Sequence, residues 1–252
     1  MKFRFTLAEL SGALADLGVL LPLILALVML NGINATSALV VIGLAYLLTA
    51  FAYRLPIPVQ PLKSLAATAL ALGLLPEVVN LANSIYATSD TARQYFGHSA
   101  AHVTPRRLLT TMGFANVAAA LFGGVPVCHG CGGLTAHYRL GARTGGAPLM
   151  LGVTFLLLGL LGGKTLLPVL WLIPFPALGV LLAYVGVQHG LLARDLRGPA
   201  EWLPALAVAA TAWFTRNLAI GFAAGASLHF AIRAVSYLRA RRLFWGPPVT
   251  DD

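Results

Sequence analysis

Two stretches decide the fold: PVQPLKS, Pro58 to Ser64, and GGVPVCHGCGG, Gly123 to Gly133. Each interrupts apolar sequence with proline beside glycine or polar residues, and each leads into a helix-forming run too short to cross a bilayer alone. Broken backbone at membrane depth is tolerated only where protein or a cavity satisfies its polar groups. A pair of such breaks in corresponding places is the best sequence pointer to the substrate site of a secondary carrier. The first reading is therefore an all-α polytopic membrane protein with two half-helices.

Composition agrees. Of 252 residues 58% are apolar and only 10% charged, against about 25% charged in a soluble domain; mean hydropathy is +0.82. Charge-free runs cover Leu17–Tyr53, Thr144–Gly163, Thr165–Ala193 and Asn217–Ile232, and several reach the roughly 20 residues that span a bilayer core. MKFRF followed by an apolar run from Leu7 has signal-peptide character at its start. No small-residue cleavage pattern follows Leu30, so we read an uncleaved first helix.

The segments then read as a hairpin, Leu7–Leu30 and Ala35–Tyr53, around the turn NGINAT, and a short helix over Leu62–Leu75. A more polar span, Pro76–Phe96, a basic loop from Arg93 to Arg107, and a span over Leu108–Phe122 come next. The second short helix is Gly130–Tyr138, and Gly146–Gly162, Leu166–Leu192, Trp202–Phe214 and Leu218–Leu238 complete the chain. Counting both half-helices with their lead-ins as crossings gives about 10. The expected domain is single, over residues 1–252: 1–75 a first-repeat remnant, 76–242 a second repeat, 243–252 a cytoplasmic tail.

Charge tests this count. With the N-terminus inside, fourteen of the seventeen Lys and Arg residues, from Lys2 and Arg4 through Arg241 and Arg242, fall in cytoplasmic segments, and only Lys164 and Arg216 fall outside. That asymmetry is the positive-inside pattern of a helical bundle in an inner or plasma membrane, with both termini cytoplasmic. The net charge of +9 is thus explained by orientation, and nucleic acid is not an implied partner.

Lys63 is the remaining cation, at the first turn after Pro61. An intramembrane lysine costs about 2.5–3.5 kcal/mol on insertion scales and is a functional candidate by default; the bland alternative is a lysine that snorkels to the interface. Gly130, Gly132 and Gly133 would let backbone N–H groups approach a ligand, or simply let helices pack closely. Two half-helix N-termini each carry about +0.5 charge; with Lys63 they suit a tetrahedral dianion. Asp16, one helix face from Glu9, is a candidate coupling carboxylate or partner of Lys63, or a structural carboxylate. Asn83 and Asp90 are candidate cavity residues, with pairing of Asp90 to Arg93 near the interface as the alternative.

Cys128 and Cys131 have C-x-x-C spacing, but a structural zinc site wants four ligands and only His129 and His137 lie near. No cofactor and no enzymatic activity are expected. His189 and His229 read as packing residues, and GARTGG, Gly141 to Gly146, as a cytoplasmic turn with Arg143 at the interface.

Three stretches carry a family resemblance: ELSGALADLGVLLPLILAL (Glu9–Leu27), PVQPLKSLAA (Pro58–Ala67) and GGVPVCHGCGGLTAHYRLGARTGGA (Gly123–Ala147). They resemble the signature segments of the molybdate transporter family, a relative of the SulP sulfate transporters. NLANSIYATSDTARQYFG and VTPRRLLTTMGFANVAAALFGG resemble the approach to the third segment. The pattern departs at Ala15, Cys131 and Leu140, where glycine, a small residue and phenylalanine are expected. The resemblance implies a SulP-like inverted-repeat core, here shortened by about four crossings. It implies molybdate or sulfate as substrate, bound by Gln60, Lys63 and Ser64 at one half-helix start and Cys128, His129, Gly130, Gly132 and Gly133 at the other. Membrane lipid and a second copy completing the gate are the implied partners. The competing expectation is a shortened relative that binds oxyanion, or serves assembly or regulation, without transporting.

Overall fold

The computed structural model describes residues 2–61, 81–162 and 174–244, which divide into two compact units, Met1–Leu191 and Leu192–Asp252. Lys63 and Ser64, with the whole expected half-helix over Leu62–Leu75, lie outside the described residues.

The first unit opens with α1 (Leu7–Asn31), capped by Thr6, whose hydroxyl accepts from Glu9 N at 3.3 Å. Gly32 ends it in the left-handed region at φ 66°, a conformation glycine adopts without a Cβ penalty. Asn34 then caps α2 (Ala35–Tyr53) by accepting from Ser37 N at 3.2 Å. The NGINAT turn is thus a C-cap followed two residues later by an N-cap, and the hairpin expected from sequence forms with its expected ends.

Beyond α2 the first break runs in extended form to β1 (Gln60–Pro61). A π-helical turn, Ala82–Ala87, leads directly into α3 (Thr88–Phe96) and a 3-10 turn, Gly97–Ala100. The polar span expected over Pro76–Phe96 is, over its described residues 81–96, a continuous helical run with a π-helical turn in it. Next, α4 (Pro105–Leu121) starts at Thr104, whose hydroxyl accepts from Arg107 N, with Pro105 in the first turn. The second break carries β2 (Val127–Cys128) into α5 (Cys131–Arg139), and α6 (Gly146–Leu161) and α7 (Phe175–Gly190) follow.

The core of this unit is the packing of α2 on α6. A Cβ at Gly43 would stand 2.7 Å from Leu156 N, and one at Gly152 3.0 Å from Gly43 O. Small residues let the two backbones touch, the usual currency of helix packing in lipid. Tyr46 stacks on Phe155 at 6.2 Å between ring centres, and Leu20, Ile24, Leu39 and Ile42 fill the space around them.

The second unit is a helical hairpin, α8 (Pro199–Thr215) and α9 (Leu218–Phe244). Arg216 closes α8 at φ 54°, and Asn217 Oδ1 accepts from Ala219 N at 2.9 Å to start α9. Gly221 and Gly225, four apart, lie against Val208 O and Pro204 O. Three described helical stretches are long and apolar enough to cross a membrane: Leu7–Leu25, Ala35–Tyr53 and Leu218–Arg239; α6 is apolar but shorter.

Candidate functional site

The two breaks meet. β1 and β2 pair antiparallel, Gln60 opposite Cys128 and Pro61 opposite Val127. Two proline-bearing segments cannot build a longer ladder, because Pro61 has no N–H to give. A side chain compensates at the second break: Val127 N donates to Asn116 Oδ1 of α4 at 2.7 Å. All four paired residues are buried, so the freed backbone is enclosed by protein, as membrane depth requires.

This crossing gathers most of the residues singled out from sequence. Gln60 is fully buried, and its Nε2 donates to Asp16 Oδ1 at 3.0 Å. Asp16, also fully buried, accepts from the Tyr46 hydroxyl at Oδ2. Its ionic partner among the described residues is His137, whose Nε2 lies 3.3 Å from Oδ2, within ion-pair distance but outside hydrogen-bond geometry. The other ring nitrogen of His137 faces Gly12 O at 2.9 Å. One buried carboxylate therefore joins α1, α2, β1 and α5.

On the other side of the crossing, His129 Nδ1 faces Pro58 O at 3.0 Å and Nε2 faces Thr111 Oγ1 at 3.1 Å. A carbonyl only accepts, so Nδ1 carries the hydrogen. Neutral His129 is satisfied when Thr111 donates to Nε2, and the Tyr53 hydroxyl, 2.6 Å from Thr111 Oγ1, then donates to Thr111. Tyr53 meets the His129 ring edge-on at 6.1 Å. Beyond Tyr53 a cavity of about 510 Å³ opens, lined also by Arg54, Ser99, His102 and Arg107.

The three glycines differ. A Cβ at Gly130 would stand 2.7 Å from Gln60 Oε1, and one at Gly133 would stand 2.5 Å from Gln60 Nε2 and 2.6 Å from Asp16 Oδ1. These two positions are bare because Gln60 and Asp16 press against α5. At Gly132 a Cβ would meet nothing within 4 Å among the described residues, so in that part of the structure its backbone at the start of α5 is uncovered.

The cysteine sulfurs point to different partners. Cys128 Sγ lies 3.9 Å from Pro61 O, and Cys131 Sγ donates to Asn83 Oδ1 at 2.7 Å. That second bond ties the π-helical turn to α5; such turns often mark functional positions. Ser84 Oγ in the same turn is buried without a partner. Asp90 is not part of the assembly: it is exposed and accepts from Gln94 Nε2 at 2.9 Å. Among the described residues no group of three His, Cys, Asp or Glu side chains is placed to hold a metal ion.

Sequence reasoning passed over Tyr46, Thr111 and His137 as members of the site. The usable signal was weak: a tyrosine in a charge-free span, and a histidine on the half-helix itself. The GARTGG turn has a structural explanation, since Glu9 Oε1 accepts from both Arg143 N and Thr144 N at 2.9 Å. The Arg143 guanidinium lies 3.9 Å over the Tyr138 ring.

Comparison with known proteins gives a consistent picture. The profile of the family described as "Molybdate transporter of MFS superfamily" matches residues 8–74 and 69–188. Molybdate transporter 1 of Arabidopsis thaliana is 34% identical over 173 residues, 67% of this chain and 37% of the relative. Molybdate transporter 2 of the same plant is 29% identical over 160 residues, 63% of this chain and 34% of the relative. Molybdate transporter 1 of Chlamydomonas reinhardtii is 35% identical over 158 residues, 61% of this chain and 30% of the relative. The chain spans about a third of the length of each of these relatives.

Proposed function

This chain belongs to the molybdate transporter family, and on that premise we propose that it carries a tetrahedral oxyanion across a membrane, molybdate first and sulfate second. The anion binds at mid-membrane where the two breaks cross. Lys63 supplies charge, and Ser64 hydrogen bonds, from the start of the first half-helix. The open backbone at Gly132 and the N-terminus of α5 supply the other wall. Gln60 faces the site from between them, and Cys128, Gly130 and Gly133 shape it. His129, with both nitrogens engaged by protein, holds the second break against the first.

The observation that carries this reading is the antiparallel pairing of Gln60–Pro61 with Val127–Cys128. It brings the residues that lead toward the first expected half-helix beside the chain entering α5, which supports a midplane anion site. The names of the three relatives supply the substrate class. The inverted-repeat, SulP-like architecture, the ten crossings and the cytoplasmic termini belong to the same proposal, supported by the positive-inside pattern. The cavity beside Arg54 and Arg107 is the cytoplasmic approach, and alternating access moves the crossing against the other helices, with a second copy completing the gate.

A second reading is an oxyanion-binding or assembly protein without transport; the favouring observation is that the chain covers only about a third of its relatives. Molybdate and sulfate uptake into liposomes holding the purified chain decides between them. Saturable uptake abolished by Lys63→Met supports the carrier. Lys63-dependent binding without uptake supports the second reading, and binding unaffected by Lys63→Met refutes the site.

A further inference from the structure

Gln60 is wholly buried at the crossing, and the two ends of its carboxamide are in opposite circumstances. Nε2 donates to Asp16 Oδ1. Oε1 has no hydrogen-bond partner, and it rests against Gly130, the N-cap of α5, where an added Cβ would stand 2.7 Å away. Buried acceptors are rarely left unmade, and this one points at the place where an oxyanion is proposed to sit.

Asp16 imposes that orientation. An ionised carboxylate only accepts, so the carboxamide must turn its NH2 toward it and its oxygen toward α5. The Oδ2 side of Asp16 is already committed. It takes the Tyr46 hydroxyl and stands 3.3 Å from His137 Nε2. His137 Nδ1 faces the Gly12 carbonyl and so carries a hydrogen. A proton held between Nε2 and Oδ2 keeps two lone pairs from facing each other across that 3.3 Å. A proton arriving from solvent therefore has Oδ1 as its seat. Once there it makes Oδ1 a donor, and Gln60 must offer an acceptor in return. A half-turn about the broad, two-fold terminal torsion of glutamine achieves this. Oε1 then accepts from Asp16, and Nε2 turns its hydrogens toward Gly130.

We propose that Gln60 is a switch set by a proton on Asp16: with the carboxylate ionised it shows an acceptor to the start of α5, with the acid formed it shows a donor, and one proton accompanies each oxyanion bound. This rests on the crossing being an oxyanion site and names its coupling ion. The balance is simple. A solvent proton adds to Oδ1, no other bond breaks, and the Asp16–His137 pair gains one positive charge beside the anion. The titratable neighbours do not compete for that proton. Tyr46 of α2 donates to Oδ2, and His137 of α5 stands 3.3 Å from the same oxygen. Glu9 of α1 turns to the backbone of residues 143 and 144, and Arg139 lies over the Tyr95 ring. The described part of α7 packs on this side with Val185, and α6 carries no titratable residue.

The test is calorimetric titration of molybdate into the full chain in lipid nanodiscs, in two buffers of different ionisation enthalpy, at pH values where molybdate is a dianion. Expected for the natural sequence are about one proton taken up per molybdate and, above the titration of Asp16, about tenfold tighter binding per unit fall in pH. Asp16→Asn, whose amide gives Gln60 Oε1 a permanent donor, should bind with no proton uptake and no pH dependence. Binding by the natural sequence without proton uptake overturns the switch, as does proton uptake that survives in Asp16→Asn. An infrared difference spectrum on adding molybdate to the natural sequence needs no variant: gain of a carboxylic-acid carbonyl band is expected, and its absence overturns the proposal. Failure of the natural sequence to bind molybdate at any pH refutes the oxyanion reading itself, and the switch with it.

Discussion

His129 and His137 both belong to the second break, and each turns Nδ1 to a backbone carbonyl of another element, Pro58 in one case and Gly12 in the other. Their second nitrogens meet opposite chemistry. Nε2 of His129 meets the hydroxyl of Thr111, which can donate, so a neutral ring is fully satisfied. Nε2 of His137 stands 3.3 Å from the carboxylate of Asp16, which cannot donate unless protonated, and makes no hydrogen bond among the described residues. Two histidines fixed in the same way thus divide the crossing into a neutral side that fixes the backbone and a charged side built on the Asp16 carboxylate. Near Asp16 the glycines are closed by packing, whereas Gly132 remains open.

Removing one member of the charged pair should do the most damage. His137→Leu leaves Asp16 buried without its imidazole partner and should cost about 3–5 kcal/mol, read as a lowered thermal midpoint in detergent. The double variant Asp16→Leu/His137→Leu should be less destabilised than His137→Leu alone; equal or greater loss would show that the two do not act as a pair.

On the neutral side the penalty should be smaller. His129→Leu strands the Pro58 carbonyl, at about 1–3 kcal/mol, and the loss should not vary across the neutral pH range. A pH-dependent loss would erase the contrast between the two histidines. Gly133→Ala forces a methyl against Gln60 and Asp16 and should cost a similar 1–3 kcal/mol, roughly the figure for an overpacked core. Gly132→Ala in parallel should be near neutral. The smallest effect expected is for Tyr53→Phe, about 1 kcal/mol, because it removes a single neutral hydrogen bond, the one to Thr111.

The contrast also marks what a sequence can reveal. Both breaks are legible because proline and glycine impose local backbone rules, and the NGINAT hairpin because Gly32 and Asn34 cap adjoining helices. Gln60, Cys128, His129 and the glycines are legible as neighbours of those breaks. The partnership of Asp16 with His137 is not, since it joins α1 to α5 through tertiary packing and neither residue signals the other. Sequence offered Lys63 as a partner for Asp16 instead, and gave His137 none. The π-helical turn at Ala82–Ala87 is likewise silent, because an added residue per turn leaves no distinctive composition. The division of roles among Gly130, Gly132 and Gly133 depends on which of them the Gln60 side chain covers.

That division supplies the most direct test of the central claim, that the oxyanion sits at the start of α5. Gly132 and Gly113 both have room for a side chain, with no described residue within 4 Å of an added Cβ, so valine at either should fold. Equilibrium molybdate binding should be lost in Gly132→Val and retained in Gly113→Val. Equal binding by the two variants would contradict the site.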